Sequence, residues 1–206
     1  MNQKNVTTEK IITTDISQIH DLISDDMTSV NKLIEVSLSS DVPLINQLGQ
    51  YIIDTGGKRL RPALVILSSK IFSYQGSQHI NLAAIIELIH TATLLHDDVV
   101  DASILRRGQK TANQRWGNEA SVLVGDFVYS RAFQMMVNVD SLRIMQILSE
   151  ATNTIAEGEV QQLINRNKSE TSENNYLNVI RNKTAKLFEA AAQLGAVISN
   201  KTAKEE

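Results

Sequence analysis

The stretch from Leu82 to Val100 constrains the fold more than any other part of the sequence. It is strongly apolar, contains only a few polar residues such as Glu87 and His90, and ends in aspartates. A helix that is apolar around its whole circumference has to be buried by other elements. The stretch therefore predicts a buried central helix, and the rest of the chain has to surround it.

The segments on either side also repeat apolar residues at helical spacing. Runs of this kind cover about residues 21–55, 63–72, 120–137, 142–164 and 176–199. Two prolines and nine glycines leave few helix breakers, and no strand-like alternation of convincing length occurs. The sequence therefore predicts an all-α bundle of long helices, with a flexible lead-in at 1–20 and a long irregular connection at 102–118.

Composition excludes several classes of function. Cysteine is absent, which rules out disulfides, thiolate catalysis and cysteine-ligated zinc. The net charge of −3 and the lack of a concentrated basic face argue against a nucleic-acid partner. The first residues contain neither an apolar run nor arginine, and no segment approaches the ~20 apolar residues of a membrane span. We therefore expect a soluble, cytoplasmic protein.

Three aspartates end the apolar stretch and form the strongest candidate site. On a helix Asp97 and Asp101 lie one turn apart on the same face, and Asp98 lies one step around. Carboxylates in this arrangement repel each other, and the helix dipole disfavours them near a C-terminus. A cation would compensate, and oxygen ligands with open positions suit Mg²⁺ shared with a phosphate. The alternative is an acidic helix end that merely faces solvent.

Two arginine-rich turns flank the aspartates in the sequence. Lys58, Arg59 and Arg61 follow a pair of glycines just ahead of a predicted helix. Arg106 and Arg107 come soon after the aspartates. Basic side chains and helix N-termini both bind phosphate groups, although each turn alone could be a solvated basic loop. Together with the aspartates, the two turns suit diphosphates held partly by metal and partly by arginine.

Other residues are weaker candidates. Lys183, beside Thr184 early in the last predicted helix, could contact a phosphate or be an ordinary surface lysine. His90 falls on the aspartate stripe of the helical wheel, where it could bind a ligand or be a core histidine. Met135 and Met136 could fill the core or line a tunnel for a ligand.

Six motifs, in this order, resemble the trans-polyprenyl diphosphate synthase family. They are GGKRLRP at 56–62, ELIHTATLLHDDVVDAS at 87–103, LRRGQKTAN at 105–113, SVLVGDFVYSRAFQMM at 121–136, GEVQQL at 158–163 and NKTAKLFEAAAQLGA at 182–196. The likeness covers about residues 25–200 and is closest to the long-chain bacterial branch, which makes quinone side chains. It implies an isoprenoid-synthase-type helical bundle around a central cavity, of which residues 21–206 form the N-terminal part.

The resemblance also implies ligands and a reaction. The implied ligands are Asp97, Asp98 and Asp101 for Mg²⁺ on an allylic diphosphate, Arg106, Lys183 and Thr184 for that diphosphate, and Lys58, Arg61, His90 and Arg107 for isopentenyl diphosphate. The allylic C–O bond would ionise with the aspartates and Arg106 as the catalytic groups, the isopentenyl double bond would attack, and a proton would be lost. The implied assembly is a homodimer, with membrane contact only through the lipid product.

A long product is implied by the residues just before the aspartates. In the family a bulky aromatic at this place blocks the growing chain, whereas Ala92 and Thr93 are small. The helical wheel puts Thr93 near the aspartate face but Ala92 about 140° away, so a role for Ala92 depends on the resemblance alone. Phe133, Met135 or Met136 would form a deeper floor of the cavity.

The second aspartate-rich motif of the family does not occur in this sequence. We therefore expect a form that is incomplete at the C-terminus and has impaired activity. One alternative is a non-catalytic, shortened homologue that dimerises with and regulates a complete synthase. A terpene cyclase that uses the same ionisation chemistry is disfavoured, because GGKRLRP suits a second diphosphate substrate that a cyclase lacks.

Overall fold

The computed structural model describes residues 16–166 and 172–206. Its helices are α1 (Ile16–Ser37), α2 (Pro43–Thr55), α3 (Leu60–Ile71), α4 (Gln78–Val100), α5 (Ala112–Trp116), α6 (Asn118–Asn138), α7 (Leu142–Asn165), α8 (Glu173–Ile180) and α9 (Lys186–Ile198). A small antiparallel hairpin of β1 (Leu105–Arg106) and β2 (Gln109–Lys110) separates α4 from α5. The predicted all-α class is confirmed. In the described part of the chain, every helix is too short or too polar to cross a membrane.

Helix α4 is the centre of the bundle, as its apolar sequence predicts. Every residue from Leu82 to Ile89 is buried, so no side of this part of the helix faces solvent. Helices α1, α3, α6 and α9 pack around it. Burial of each large aliphatic side chain contributes about 1.5–3 kcal/mol to stability. At its C-terminal end the helix leaves the core, and the exposed Asp101 follows its last residue.

The connection after α4 is ordered rather than irregular, so the expectation for residues 102–118 was wrong. Arg107 and Gly108 join the two strands with φ values of 53° and 80°. Two consecutive residues with positive φ form the tight turn that matches the twist of a hairpin. Thr111 Oγ1 then donates a hydrogen bond to the carbonyl of Ser103 at 2.7 Å, which closes the loop. The sequence concealed this turn because arginine rarely adopts a positive φ.

The last predicted helix is present, but its geometry changes partway along. Helices α8 and α9 are continuous through a π-helical turn at Arg181–Ala185. Gly158 of α7 lies against this turn, and a Cβ at Gly158 would be 2.9 Å from both the Asn182 Cβ and the Lys183 backbone nitrogen. The missing side chain therefore lets the wide turn approach α7.

The first helix begins earlier than expected. Residues 16–20, which the sequence assigned to a flexible lead-in, form the start of α1. Ile16, Ile19 and Ile23 continue the helical spacing of the apolar residues, and Ile23 is buried in the core. Residues 1–15 of the expected lead-in lie outside the described residues.

Candidate active site

The acidic residues at the end of α4 point to two different sides of the helix. Asp97 faces α7 and the π-helical turn, where it meets Lys183. Asp98 faces the hairpin, where it meets Arg106 of β1. Consecutive helical residues differ by about 100° in direction, so neighbouring aspartates cannot share one partner easily. Asp97 and Asp98, which the sequence predicted in one site, therefore contact different partners.

Asp98 is held by the hairpin. Its side chain is only 5% exposed, and its Oδ1 lies 2.7 Å from Arg106 Nη2, while Arg106 Nε lies 3.1 Å from Oδ2. The hydrogen bond from Arg106 to this carboxylate raises the pKa of the guanidinium, although burial opposes the shift. Asn113 Nδ2 also donates to the backbone carbonyl of Asp98 at 3.1 Å. The geometry therefore gives Asp98 an arginine partner, and its contact with a metal stays a prediction.

Asp97 belongs to a different cluster, with Lys183 at its centre. Lys183 Nζ lies 3.3 Å from Asp97 Oδ2 and 2.6 Å from Glu159 Oε2. Burial disfavours the charged lysine, but the hydrogen bond to Glu159 and the charge of Asp97 outweigh it and raise the pKa of Lys183. Burial and the nearby Asp97 carboxylate raise the pKa of Glu159, against the effect of Lys183. Glu159 was not among the residues predicted from the sequence.

The carboxylates around Asp97 fit a cation that is shared with a phosphate. Asp101 lies one turn beyond Asp97 and is exposed, and its Oδ1 lies 3.8 Å from Arg166 Nη1, a loose contact. Within the described ranges, no three acidic or histidine side chains are arranged to hold a metal by themselves. Mg²⁺ commonly uses one or two carboxylates and takes its other ligands from phosphate and water. Asp97 and Asp101 provide such a donor set, and Lys183 occupies a place beside Asp97 that accepts positive charge.

A cavity of about 70 Å³ lies along the Asp98 face of α4, against α2 and the hairpin. Its charged lining residues are predominantly cationic: Arg59, Arg106, Arg107 and Lys110 line it together with Glu87 and Asp98. A strongly positive cavity with few anions attracts anionic ligands such as phosphate groups. Its size suits a headgroup rather than a long chain.

Two of these cations are neutralised and two are not. Arg59 forms an ion pair with the buried Glu87, and Arg106 is taken by its aspartate. Arg107 and Lys110 make no ion pair within the described ranges. Arg107 lies across Gly57, where a Cβ would be 2.9 Å from its Nη1, so the glycine gives the guanidinium its place. In the sequence, Glu87 is an isolated acidic residue inside the apolar stretch, and this was the signal that it would pair with a cation such as Arg59.

His90 lines the same cavity as a neutral imidazole. Burial, and then the charges of Arg61, Arg106 and Arg107, lower the pKa of His90 from its ordinary 6.5 to about 3. A neutral imidazole offers one hydrogen-bond donor and one acceptor. Among the described residues, no side chain or backbone group forms a hydrogen bond with the ring. The ring is therefore available to a ligand of the cavity.

The other predicted anion-binding residues are more scattered. Arg61 packs beside the cavity with its guanidinium 4.2 Å from the centre of the Phe188 ring. Lys58 is exposed and lines a groove between α1 and α3 rather than the cavity, where its neighbour Arg59 stands instead. Thr184 is exposed in the π-helical turn, next to Lys183. The structure thus brings together His90 and Arg107 but not Lys58.

None of the predicted chain-length residues lines the arginine-rich cavity. Ala92 is fully buried in the core, and the hydroxyl of Thr93 donates to the carbonyl of His90 at 2.8 Å. Met136 is buried and Met135 is half-buried. Phe133 is 41% exposed because it lies on the outward stripe of α6, and its part in the floor of a cavity stays a prediction.

Comparisons with known proteins identify the family of the chain. The sequence profile of the polyprenyl synthetase family matches residues 42–206. Octaprenyl diphosphate synthase of Escherichia coli (strain K12) is 54% identical over 93% of this chain, which covers 59% of that enzyme. An all-trans-nonaprenyl-diphosphate synthase (geranyl-diphosphate specific) of Rhodobacter capsulatus is 42% identical over 87% of the chain and 55% of that protein. The chain therefore spans less than two thirds of the length of these relatives.

Solved structures give the same result. The crystal structure of a polyprenyl synthase from Caulobacter crescentus, complexed with calcium and isoprenyl diphosphate, superposes with a TM-score of 0.90 at 43% identity. It matches 93% of this chain and 58% of that structure. A decaprenyl diphosphate synthase from Rhodobacter capsulatus superposes with a TM-score of 0.87 at 46% identity, over 91% of this chain and 58% of that one. The fold, the ordered motifs and these likenesses establish that the chain belongs to the polyprenyl synthetase family.

Proposed function

We propose that the chain takes part in condensing isopentenyl diphosphate with an allylic diphosphate to make a long-chain, all-trans polyprenyl diphosphate, a precursor of quinone side chains. The observation that carries this proposal is the pair of anion sites at one end of α4. Lys183 and the carboxylate of Asp97 lie on one side of the helix. The cavity with Arg107 and His90 lies beside it, along the face of α4 that carries Asp98. Two neighbouring diphosphate sites suit a reaction that joins two diphosphate substrates.

The allylic diphosphate is assigned to the side of Asp97. Mg²⁺, held by the carboxylates of Asp97 and Asp101, would supply positive charge to the departing diphosphate. Lys183 can donate to the same oxygens. Arg106 uses Nε and Nη2 for Asp98, which leaves Nη1 to donate to the diphosphate. These groups stabilise the negative charge that develops as the allylic C–O bond breaks.

Isopentenyl diphosphate is assigned to the arginine-rich cavity. Arg107 and Lys110 have no ion-pair partner within the described ranges and can receive its phosphates. The neutral His90 can donate one hydrogen bond without adding positive charge near an allylic cation. The isopentenyl double bond attacks that cation, and the proton released from the new chain passes to the departing diphosphate. Leu94 and Leu95 line the cavity and help to keep water away from the cation.

A prenyl-transfer assay tests the proposal. The 206-residue chain is incubated with radiolabelled isopentenyl diphosphate, farnesyl diphosphate and Mg²⁺, and the products are separated by length. We expect long-chain product at a rate well below that of a full-length relative, and a further loss in Asp97→Asn. Glu157→Gln is the matched control, because Glu157 is exposed on α7 and its side chain accepts a hydrogen bond from Asn153. No incorporation, together with no Mg²⁺-dependent binding of diphosphate, would contradict the proposal.

A second candidate function is a non-catalytic homologue that dimerises with and regulates a complete synthase. The observation that favours it is a set of exposed apolar side chains at the end of α7 and on α8: Val160, Leu163, Ile164, Tyr176 and Leu177. Large apolar patches on a protein surface are normally covered by a partner. One relative of this chain, 33% identical, is named component 2 of the heptaprenyl diphosphate synthase of Bacillus subtilis. Co-purification with a complete synthase, without activity of the chain alone, would favour this candidate.

A homodimer in the cytoplasm, with membrane contact only through the lipid product, completes the proposal. The outward stripe of α6 carries Leu123, Phe133 and Val137, which are all exposed and apolar. A second copy of the chain that packs its α6 against this stripe would cover them. Sedimentation of the wild-type chain and of Leu123→Glu measures this directly. A wild-type chain that stays monomeric at high concentration would argue against the dimer.

A further inference from the structure

We infer that Lys183, held between Asp97 and Glu159, takes the place beside Asp97 where a divalent cation bound by Asp97 and Asp101 would lie, and that it would turn to the diphosphate once the cation is bound. Glu159 acts in this exchange as a positioning residue: it holds Lys183 in the metal-free state and then faces the cation. The inference rests on the proposed function, because it concerns the same site and the same substrate class. It adds Glu159 to that site, and it states that Lys183 turns to the diphosphate only after the cation has bound.

The contacts around Lys183 are the first support. Its ammonium group lies 2.6 Å from Glu159 Oε2 and 3.3 Å from Asp97 Oδ2. The side chains of Lys183, Glu159 and Asp97 are only 21%, 26% and 15% exposed. Two partly buried carboxylates that face each other without a cation would be costly. The lysine therefore compensates them in the metal-free protein.

The backbone around Lys183 is the second, independent support. Lys183 lies in the π-helical turn at Arg181–Ala185, and such turns are rare and often occur at functional sites. Gly158, directly before Glu159, gives this turn room to approach α7. The π-helical turn thus positions Lys183, and Gly158 lets this turn come close to Glu159. Both are uncommon local features. A lysine that served only as a surface charge would need neither of them.

The charges explain the direction of the exchange. Asp97, Glu159 and Lys183 together carry a net charge of −1 when all three are ionised. A divalent cation that takes this place beside Asp97 would offset the two carboxylate charges and release the ammonium group with its three donors. Phosphate oxygens are suitable acceptors for those donors. Lysine and metal therefore compete for the carboxylates, but they cooperate in binding a diphosphate.

Metal binding without any diphosphate tests the competition. Binding of Mn²⁺ to the full chain is measured by the electron paramagnetic resonance signal of the free ion. We expect Lys183→Met to bind Mn²⁺ about tenfold more tightly than wild type, and Glu159→Gln to bind it several-fold more weakly. Lys186→Met is the control for lost positive charge, since Lys186 pairs with Glu150 and Glu189 instead.

Glu157→Gln is the matched control for Glu159→Gln, because it changes the same charge on the same helix in an exposed position. Inorganic diphosphate with Mg²⁺, measured by calorimetry, gives the second readout, in which Lys183→Met should bind about tenfold more weakly than wild type. An exchange predicts that Lys183→Met binds Mn²⁺ more tightly but diphosphate more weakly. A purely structural role of Lys183 would not change the two affinities in opposite directions. The inference is overturned if Lys183→Met binds Mn²⁺ no better than wild type, or if Glu159→Gln binds it equally well. A wild-type chain that ignores Mg²⁺-diphosphate while the Mn²⁺ effects hold would contradict the proposed function instead.

Discussion

Asp98 and Arg106 form a two-pronged ion pair, with Arg106 Nη2 2.7 Å from Asp98 Oδ1 and Arg106 Nε 3.1 Å from Asp98 Oδ2. The pair joins the end of α4 to the hairpin and lies in the wall of the arginine-rich cavity. Asp97, the preceding residue, faces about 100° away around the helix and has Lys183 as its partner. The two neighbouring aspartates therefore have different partners, an arginine for Asp98 and a lysine for Asp97.

Asp98→Asn should destabilise the protein, whereas Asp97→Asn should not. Loss of the charge of Asp98 leaves Arg106 without its partner, and we expect the free energy of unfolding to fall by about 1–3 kcal/mol. This is below the cost for a fully buried pair because the Arg106 side chain is 36% exposed. Asp97→Asn also relieves repulsion with Glu159, so its effect should be small. Urea unfolding of both variants checks this, and the opposite ranking would refute the division of roles.

His90 should make the protein less stable as the pH falls. The pKa of His90 is about 3 in the folded protein against 6.5 for an ordinary histidine. Between these values the unfolded chain binds a proton that the folded chain does not, so acid favours unfolding. This contribution to stability is complete above pH 6.5 and is lost progressively toward pH 3, by up to about 1.4 kcal/mol per pH unit.

Unfolding free energies of wild type and His90→Gln at several pH values measure this contribution. Glutamine does not titrate, so the stability advantage of the wild type should shrink between pH 6.5 and pH 4. Stability curves that stay parallel over this range would mean that His90 titrates normally in the folded protein. The ring signals of His90 in NMR spectra should likewise stay at their neutral positions throughout this range.

The helices were predictable because their apolar residues recur at helical spacing. The burial of Leu82 to Ile89 on all sides follows directly from the sequence of α4. The hairpin was not predictable, because it depends on Arg107 taking a positive φ. The π-helical turn at Arg181–Ala185 leaves the apolar pattern almost unchanged, so the pattern indicated one regular helix.

The candidate site was predictable as a set of residues but not as a set of contacts. Spacing brings Asp97 and Asp98 to the same helix end, but it does not tell which of them an arginine will take. Lys58 and Arg59 are neighbours of similar charge, and only the backbone conformation decides that Arg59 reaches Glu87. Glu159 comes from a helix far away in the sequence, so no local pattern linked it to Asp97.

Arg107→Met should weaken the binding of isopentenyl diphosphate more than the loss of any surface arginine. Arg107 lines the cavity and has no ion-pair partner among the described residues, so its charge is free for a ligand. A charge-assisted hydrogen bond contributes about 1.5–3 kcal/mol, which corresponds to a loss of about 10- to 150-fold in affinity. Calorimetric titration with isopentenyl diphosphate in the absence of metal gives the affinities.

Arg115→Met is the control for this titration. Arg115 lies close to the cavity, but its guanidinium packs over the rings of Tyr51 and Trp116 rather than into the cavity. Its substitution should leave the affinity within about twofold of wild type, because long-range attraction between exposed charges is screened by salt. Equal losses in both variants would show that the overall positive field, and not a contact from Arg107, attracts the ligand.

Gly158→Ala should lower stability and weaken Mg²⁺-dependent diphosphate binding together. The new Cβ would lie 2.9 Å from the Asn182 Cβ and from the Lys183 backbone nitrogen, so the π-helical turn has to move away from α7. Overpacking of this kind costs about 1–3 kcal/mol, which exceeds the gain of about 1 kcal/mol in helix propensity. Gly49→Ala is the matched control, since it makes the same change inside α2 with its nearest contact at 3.4 Å. Thermal unfolding and diphosphate titration of both variants provide the comparison. If Gly158→Ala is as stable as Gly49→Ala and binds diphosphate like the wild type, the close approach of the π-helical turn is not what holds Lys183 at Asp97.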